Sequence, residues 1–300
     1  MRIGIDLGGT KIAAIALAAN GETLFFDRVG TPVGSYDGTV EAIRGLVAAI
    51  EIKSGRTGSV GIGIPESISA GTGLVRNANS VWLIGKPLGR DLAATLGRQV
   101  RIANDANCFA LSESVDGAAM NLRSVFGVIL GTGVGGGLAL DRRVLEGING
   151  IAGEWGHNSL PWPGSDELPG AECYCGRRGC IETFLSGPAL ARDHFEHTGL
   201  RIDASAIAAL DAKGDRDAAA TLSRYEERLA KSLAAVINIF DPDCIILGGG
   251  VSKVARLYGN IPRLWGRHVF SDQVDTILKP PRHGDASGVR GAAWLWPEDV

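Results

Sequence analysis

Between Gly153 and Glu182 the sequence reads GEWGH, then a loop broken by prolines, then CYCGRRGCIE. His157, Cys173, Cys175 and Cys180 supply one imidazole and three thiols, the four soft or borderline ligands that a tetrahedral zinc site takes. Cysteines two apart seldom close a relaxed disulfide, so metal binding is a better reading of the cluster than a redox pair. Four protein ligands leave no open position for water, which makes the expected Zn²⁺ structural. Glu154 and Glu182 flank the ligands. Surface acids are the plain reading of both; the alternative is that backbone pinned by the metal aims their carboxylates at polyol hydroxyls.

Two other stretches suit anions. In IDLGGTK the turn Gly8-Gly9-Thr10 offers backbone N–H groups that can converge on a phosphate, with Lys11 as a cation beside them. It is not a P-loop, because Thr10 separates glycine from lysine and Ile12 to Leu17 reads as strand instead of helix. A tight hairpin turn would explain it alone, but Gly131-Thr132-Gly133 repeats the pattern, and two matching turns could clamp a polyphosphate. Residues 131–136 also spell G-x-G-x-x-G, yet that dinucleotide fingerprint must open a helix and here it leads into GLALD, a strand. Asp6, at the end of the first strand, is placed either to cap the turn or to hold Mg²⁺ through water beside nucleotide phosphates. Asn104-Asp105 ends another strand where a helix begins. Spacing alone favours a helix cap; the functional reading of Asp105 is a general base for an alcohol during phosphoryl transfer.

The elements that must position these residues alternate between strand and helix patterns, which predicts an α/β class. Strands are expected over 2–6, 11–17, 59–64, 99–103, 125–130, 137–140 and 244–247. Helices are expected at 105–116, 216–240 and 287–296, along the Val40, Ile43, Val47, Ile50 face, and along Leu88, Leu92, Leu96. The units IGIDLGGTKIAAIAL and VFGVILGTGVGGGLAL lie about half a chain apart, and each reads as strand, glycine–threonine–glycine turn, strand. That repetition points to a duplicated architecture with one hairpin per domain. Cys108 and Cys244 fall in helix and strand patterns and read as core packing. His194 and His197 read as solvated positions on an exposed helix.

With 300 residues, 45% apolar and 21% charged, the chain has room for two domains of an ordinary globular protein. A net charge of -3 offers no basic excess, so nucleic acid is not an expected partner. MRIGIDLGG is no signal peptide, and no apolar run reaches the roughly 20 residues of a membrane span. Five cysteines, three of them clustered, fit a reducing, cytoplasmic setting.

Over its whole length the chain resembles the ROK group of bacterial sugar kinases, within the actin-like ATPase superfamily. The residues that carry the resemblance are IGIDLGGTK (3–11), GIGIP (61–65), ANDAN (103–107), GTGVGGG (131–137), GEWGH (153–157), CYCGRRGCIE (173–182) and LGGG (247–250). Through NANSVWL (77–83), EWGHNSLPW (154–162) and GVRGAAWLW (288–296) it looks most like bacterial fructokinases that also take mannose. The resemblance implies a two-domain actin-like ATPase (ribonuclease H-like) fold with the active site in the interdomain cleft. The expected domains are a small one over 1–117, with the last helix (about 287–300) packing back on it, and a larger one over 118–286 carrying the zinc loop. By the same resemblance Asp105 is the catalytic base, and Asn79, Asn104, Glu154, His157 and Glu182 contact the sugar. Asp6, Gly8 to Lys11, Gly131 to Gly133, Gly248 and Gly249 serve ATP and Mg²⁺. The expected reaction is phosphorylation of fructose at its 6-hydroxyl. Glucokinase, N-acetylglucosamine kinase and a catalytically idle sugar-binding protein are the alternatives, and a homodimer is compatible with all of them. Sugar-sensing repressors of the group carry a DNA-binding domain ahead of the sugar domain, and a first strand at residue 2 leaves no room for one. One position departs from the pattern: Glu66 stands where relatives usually have glycine, and it leaves the choice of sugar open.

Overall fold

Residues 1–65, 67–69, 71–76 and 80–297 are described by the computed structural model. They form two bodies: Met1–Arg123 with Gly137–Ala152 and Arg282–Val300, and Ser124–Gly136 with Gly153–Pro281. The sequence reading divides the chain after 117 and packs the last helix back on the first domain; the first body holds that helix and takes 118–123 and 137–152 as well.

In the first body β1 (Arg2–Leu7), β2 (Lys11–Leu17) and β3 (Thr23–Gly30) form an antiparallel meander. After α1 (Tyr36–Ser54), β4 (Ser59–Ile64) joins β1 in parallel. The short strands β5 (Ser67–Ile68) and β6 (Val75–Arg76) and the helix α2 (Leu88–Leu96) follow. β7 (Val100–Asn104) then runs parallel to β4 and delivers the chain to α3 (Asp105–Val115). The sheet order is β3-β2-β1-β4-β7. Its inner strands are covered on both faces, which is why their Ile residues are interspersed with buried Gly and Ala instead of alternating with polar residues. Ser35 caps α1 by accepting the Gly38 N–H, and Gly55 ends it at φ 63°. β3 is not among the expected strands: Leu24, Phe25 and Phe26 run without a period of two, and the strand is almost wholly exposed.

After β8 (Ser124–Leu130) and β9 (Val134–Leu140) comes β10 (Arg143–Val144). A run of helices follows: α4 (Glu182–Leu185), α5 (Gly187–Thr198), α6 (Ala204–Asp211) and α7 (Arg216–Phe240). β11 (Cys244–Gly248), α8 (Arg256–Trp265), β12 (Ile277–Lys279) and α9 (Ser287–Trp294) complete the chain. The second sheet has the order β10-β9-β8-β11-β12, with β11 parallel to β8 and β12. No helix among the described residues is long and apolar enough to cross a membrane.

The proline-broken loop of the second body is held by charge. Glu167 receives Arg228 Nε and Lys231 Nζ, both at 2.7 Å. Arg228 also reaches Asp193 at 2.7 Å, and Arg224 pairs with the same carboxylate at 2.6 Å. Burial alone would push the Glu167 carboxyl up, but hydrogen bonds from Lys231 and Arg228 outweigh it and hold it below the usual range. His194 corrects the sequence reading: it is 1% exposed, with Nδ1 3.0 Å from Thr221 Oγ1 on α7. The polar face expected of its helix is the face that meets α7.

α9 seats on β1, β4 and α3 without side chains in between. An added Cβ at Gly4 would come 2.1 Å from the Val289 carbonyl oxygen, and one at Gly61 would come 1.9 Å from that of Ala292. At Gly291 it would fall 1.6 Å from the Cys108 carbonyl oxygen. The last helix therefore packs closely on both the sheet and α3. Gly291→Ala is predicted to cost about 3 kcal/mol or more, since backbone must move to admit the methyl; a urea midpoint within error of the natural protein would refute this.

Candidate functional site

In the first body the chemistry-bearing residues stand at strand ends. Gly8 donates to the Lys11 carbonyl at 3.0 Å, and Thr31 Oγ1 donates to the Gly8 carbonyl at 2.7 Å, so the turn is closed and braced. Gly9, Thr10 and Lys11 at its tip are exposed. Asp6 lies beside it, pointed toward Gly288: a Cβ there would be 3.7 Å from Asp6 Oδ2. Burial pushes the Asp6 carboxyl up to about 6. A desolvated carboxylate that no cation among the described residues pairs with suits a hard metal carried by a phosphate ligand.

At the end of β7 the sequence left cap and base open. Asn104 is the cap: its Oδ1 accepts the Ala106 N–H at 2.9 Å, with φ -62° and ψ 147°. Asp105 is the first residue of α3, where the helix dipole favours a negative charge, and its Oδ1 also meets the Ala106 N–H at 2.7 Å. Asn107, one turn on, accepts the Leu138 N–H at 3.4 Å. Asn79 and Glu66 lie outside the described residues.

The second body holds the other glycine turn. Gly131 donates to Gly133, and the Gly131 carbonyl accepts the Gly187 N–H at 2.8 Å. Glu182 Oε2 accepts the Val134 N–H at 2.9 Å, and a Cβ on Gly133 would sit 2.6 Å from that oxygen. Gly131 and Thr132 line a cavity of about 620 Å³ with Gly187, Pro188, Asp203 and Lys253, a size proper to a small-molecule site. Gly250 lines it too, while Gly249, at φ +82°, backs onto Leu130, whose carbonyl oxygen a Cβ would meet at 2.4 Å. Gly248 is buried at the end of β11. Pro188, Asp203 and Lys253 escaped the sequence reading. The one available signal was Ser186-Gly187-Pro188, a serine cap with proline in the first turn.

The four expected zinc ligands converge, their donor atoms all within 4.8 Å of one another. His157 Nδ1 is 3.5 Å from Cys173 Sγ, and Cys175 Sγ is 3.6 Å from Cys180 Sγ. A tetrahedron with ordinary zinc bond lengths has N–S edges of about 3.5 Å and S–S edges of about 3.8 Å, so the donors fit the ion. The other ring nitrogen of His157 meets Tyr174 Oη at 2.9 Å, which leaves Nδ1 for the metal. Glu154 is exposed, just before the short 3₁₀ turn Trp155–His157. Trp155 packs edge-on against Phe126 and donates to the Gly135 carbonyl at 3.0 Å. Its indole occupies the space a side chain at Gly136 would need.

Residues 2–299 match the ROK family. The chain is 41% identical to an N-acetyl-D-glucosamine kinase of Photobacterium profundum, over 98% of this chain and 99% of that one. Among solved structures, the ROK hexokinase of Thermus thermophilus aligns with a TM-score of 0.87 at 31% identity, covering 98% of this chain and 97% of that one. A ROK family glucokinase of Streptomyces griseus, in complex with glucose and AMPPNP, aligns at 0.79 and 30% identity, covering 98% of each.

Two predictions arise here. Burial raises the Asp6 carboxyl above the usual aspartate range, to about 6, so the folded state holds the extra proton and stability falls as pH rises from that range through about 6. The ionised group then costs at most about 3 kcal/mol at pH 7. Asp6→Asn should be more stable than the natural protein above pH 6, and the gap should close by pH 4; a gap independent of pH would reject this. Cys175→Ser should carry at least tenfold less zinc by elemental analysis and melt earlier; full zinc content would exclude Cys175 as a ligand.

Proposed function

The chain belongs to the ROK family, and from that premise we propose that it is an ATP-dependent kinase of N-acetyl-D-glucosamine, phosphorylating the 6-hydroxyl. The observation that carries the reading is 41% identity, over 98% of the chain, to a relative named for that activity. It redirects the fructose expectation: resemblance in three short segments weighs less than identity along the whole sequence.

In this reading Asp105 takes the proton from the 6-hydroxyl as its oxygen attacks the γ-phosphorus, and the bond to the β–γ bridging oxygen breaks. Its place as the first residue of α3, with Oδ1 on the Ala106 N–H, fixes the carboxylate at the end of β7. Asn104, its amide oxygen committed to the cap, is proposed to offer its –NH₂ to a sugar hydroxyl. Glu154 and Glu182 are proposed to take further hydroxyls, and His157, with Nδ1 turned to the cluster, to give Nε2 to another in place of Tyr174. The nucleoside is assigned to the cavity beside Gly131, Thr132 and Gly250, and the two glycine turns and Lys11 to the phosphates. Mg²⁺ bound with ATP would supply charge neutralisation there, and Asp6 is the carboxylate of this chain suited to hold it. Zinc does no chemistry in this scheme; its four ligands pin the backbone that bears Glu154 and Glu182.

The test is a sugar panel with coupled ADP detection. N-acetyl-D-glucosamine should give the highest kcat/KM among it, glucose, mannose and fructose. In Asp105→Ala, kcat should drop about 10²–10⁴-fold, the range for loss of a general base. Preference for fructose would restore the fructokinase reading, and retention of more than a tenth of kcat would remove Asp105 from its role.

A further inference from the structure

A second, smaller cavity lies within the first body, and its chemistry matches one functional group. It measures about 70 Å³, room for a few heavy atoms and not for a sugar ring. Ile64, Ile68 and Ile102 give it apolar walls, while Asn104, Asn107 and Glu146 give it polar ones. Asn107 is buried, and its Oδ1 faces the Leu138 N–H, so what it can turn to a ligand is the –NH₂, a donor. Glu146 brings an acceptor from the loop after β10. Its backbone is fixed there by the Ala152 N–H on its carbonyl at 3.1 Å. Gly150, at φ +64°, keeps the remaining wall open, its nearest neighbour being the Ile68 carbonyl at 4.0 Å from an added Cβ.

One donor, one acceptor and an apolar end are the complement of an acetamide: a carbonyl that accepts, an N–H that donates, a methyl that seeks apolar cover. We propose that this cavity receives the C2 acetamido group of an N-acetylated hexosamine. Asn107 donates to its carbonyl, Glu146 accepts its N–H, and Ile68 and Ile64 cover its methyl. The inference rests on the kinase reading above and sharpens it from a sugar to the group by which that sugar is told from glucose. The placement follows from the chain: Asn104, which lines the cavity, immediately precedes Asp105. In a hexopyranose C2 lies across the ring from C5, which carries the 6-hydroxymethyl group. A sugar laid along Asn104 with its 6-hydroxyl at Asp105 can therefore turn its C2 substituent into the cavity. A 2-hydroxyl in the same place would leave the methyl pocket unfilled and the Asn107 donor without its carbonyl, the kind of mismatch from which strong discrimination comes.

The test reads ratios, so that changes common to all sugars cancel. With natural enzyme, kcat/KM is measured for N-acetylglucosamine, N-propionylglucosamine and glucose. Ile68→Phe, which fills the cavity, should lower the N-acetylglucosamine-to-glucose ratio at least tenfold. Asn107→Asp keeps the oxygen that faces Leu138 but sets a carboxylate against the acetamide carbonyl, and should lower the same ratio at least tenfold. Ile68→Ala, which enlarges the cavity, should raise the N-propionyl-to-N-acetyl ratio at least fivefold, a gain that misfolding cannot produce. If the natural enzyme turns over N-acetylglucosamine well but none of the three ratios moves, the subsite is wrong and the kinase reading stands. If the natural enzyme does not phosphorylate N-acetylglucosamine at all, the kinase reading falls, and the subsite with it.

Discussion

The hydrogen bond from the Val134 N–H to Glu182 Oε2 is the joint on which the second body's site is built. Val134 opens β9 directly after the glycine turn, and Glu182 opens α4 two residues after the ligand Cys180. A carboxylate accepting a backbone N–H is stronger and more directional than a neutral pair. Gly133 has no room for a side chain against it. From the other side the Gly131 carbonyl is taken by Gly187, at the start of α5. The turn is thus gripped at both ends, and one grip, Glu182, follows directly on Cys180 and Ile181 of the Cys3His cluster. Gly131, Thr132 and Gly187, at these grips, line the larger cavity.

The first body relies on contact of a different kind. Gly4, Gly61 and Gly291 let backbone lie on backbone, so α9 covers β1 and β4 at a separation no other residue permits. Gly137 does the same against the Ala106 carbonyl, at 2.2 Å from an added Cβ. This close packing holds β7 and the start of α3, and with them Asn104 and Asp105. The catalytic reading depends on helix capping and glycine contacts more than on any long side chain.

Much of this was legible in the sequence because its signals are local. The convergence of three cysteines and a histidine within 157–180 was legible in their spacing, and the strand–turn–strand units announced both glycine turns. The 216–240 helix coincides with α7 because its apolar face repeats over many turns. What escaped depends on distant partners. Glu167 reads as a loop acid until Arg228 and Lys231 arrive from α7. His194 reads as solvated because its burial comes from α7 as well. Pro188, Asp203 and Lys253 become neighbours only when α5, α6 and the end of β11 assemble around one cavity. Glu146 and Asn107 carried no sign of a shared role, since nothing in their spacing joins a loop to a helix.

The interleaving of the two bodies bears on how the chain is made. Arg2 Nε donates to the Trp296 carbonyl, and the two residues stand 294 positions apart. β1, β2 and β4 leave the ribosome early, yet α9, which covers them, is synthesised after the whole of the second body. His157, Cys173, Cys175 and Cys180, by contrast, sit within one short stretch and can gather as soon as it emerges. Domains generally fold as units in the order they are translated; here the second body is complete first, and the strands made earliest wait, with one face open, for a helix made near the end. During that interval the apolar sheet carrying Asp6 is the surface a chaperone would need to shield.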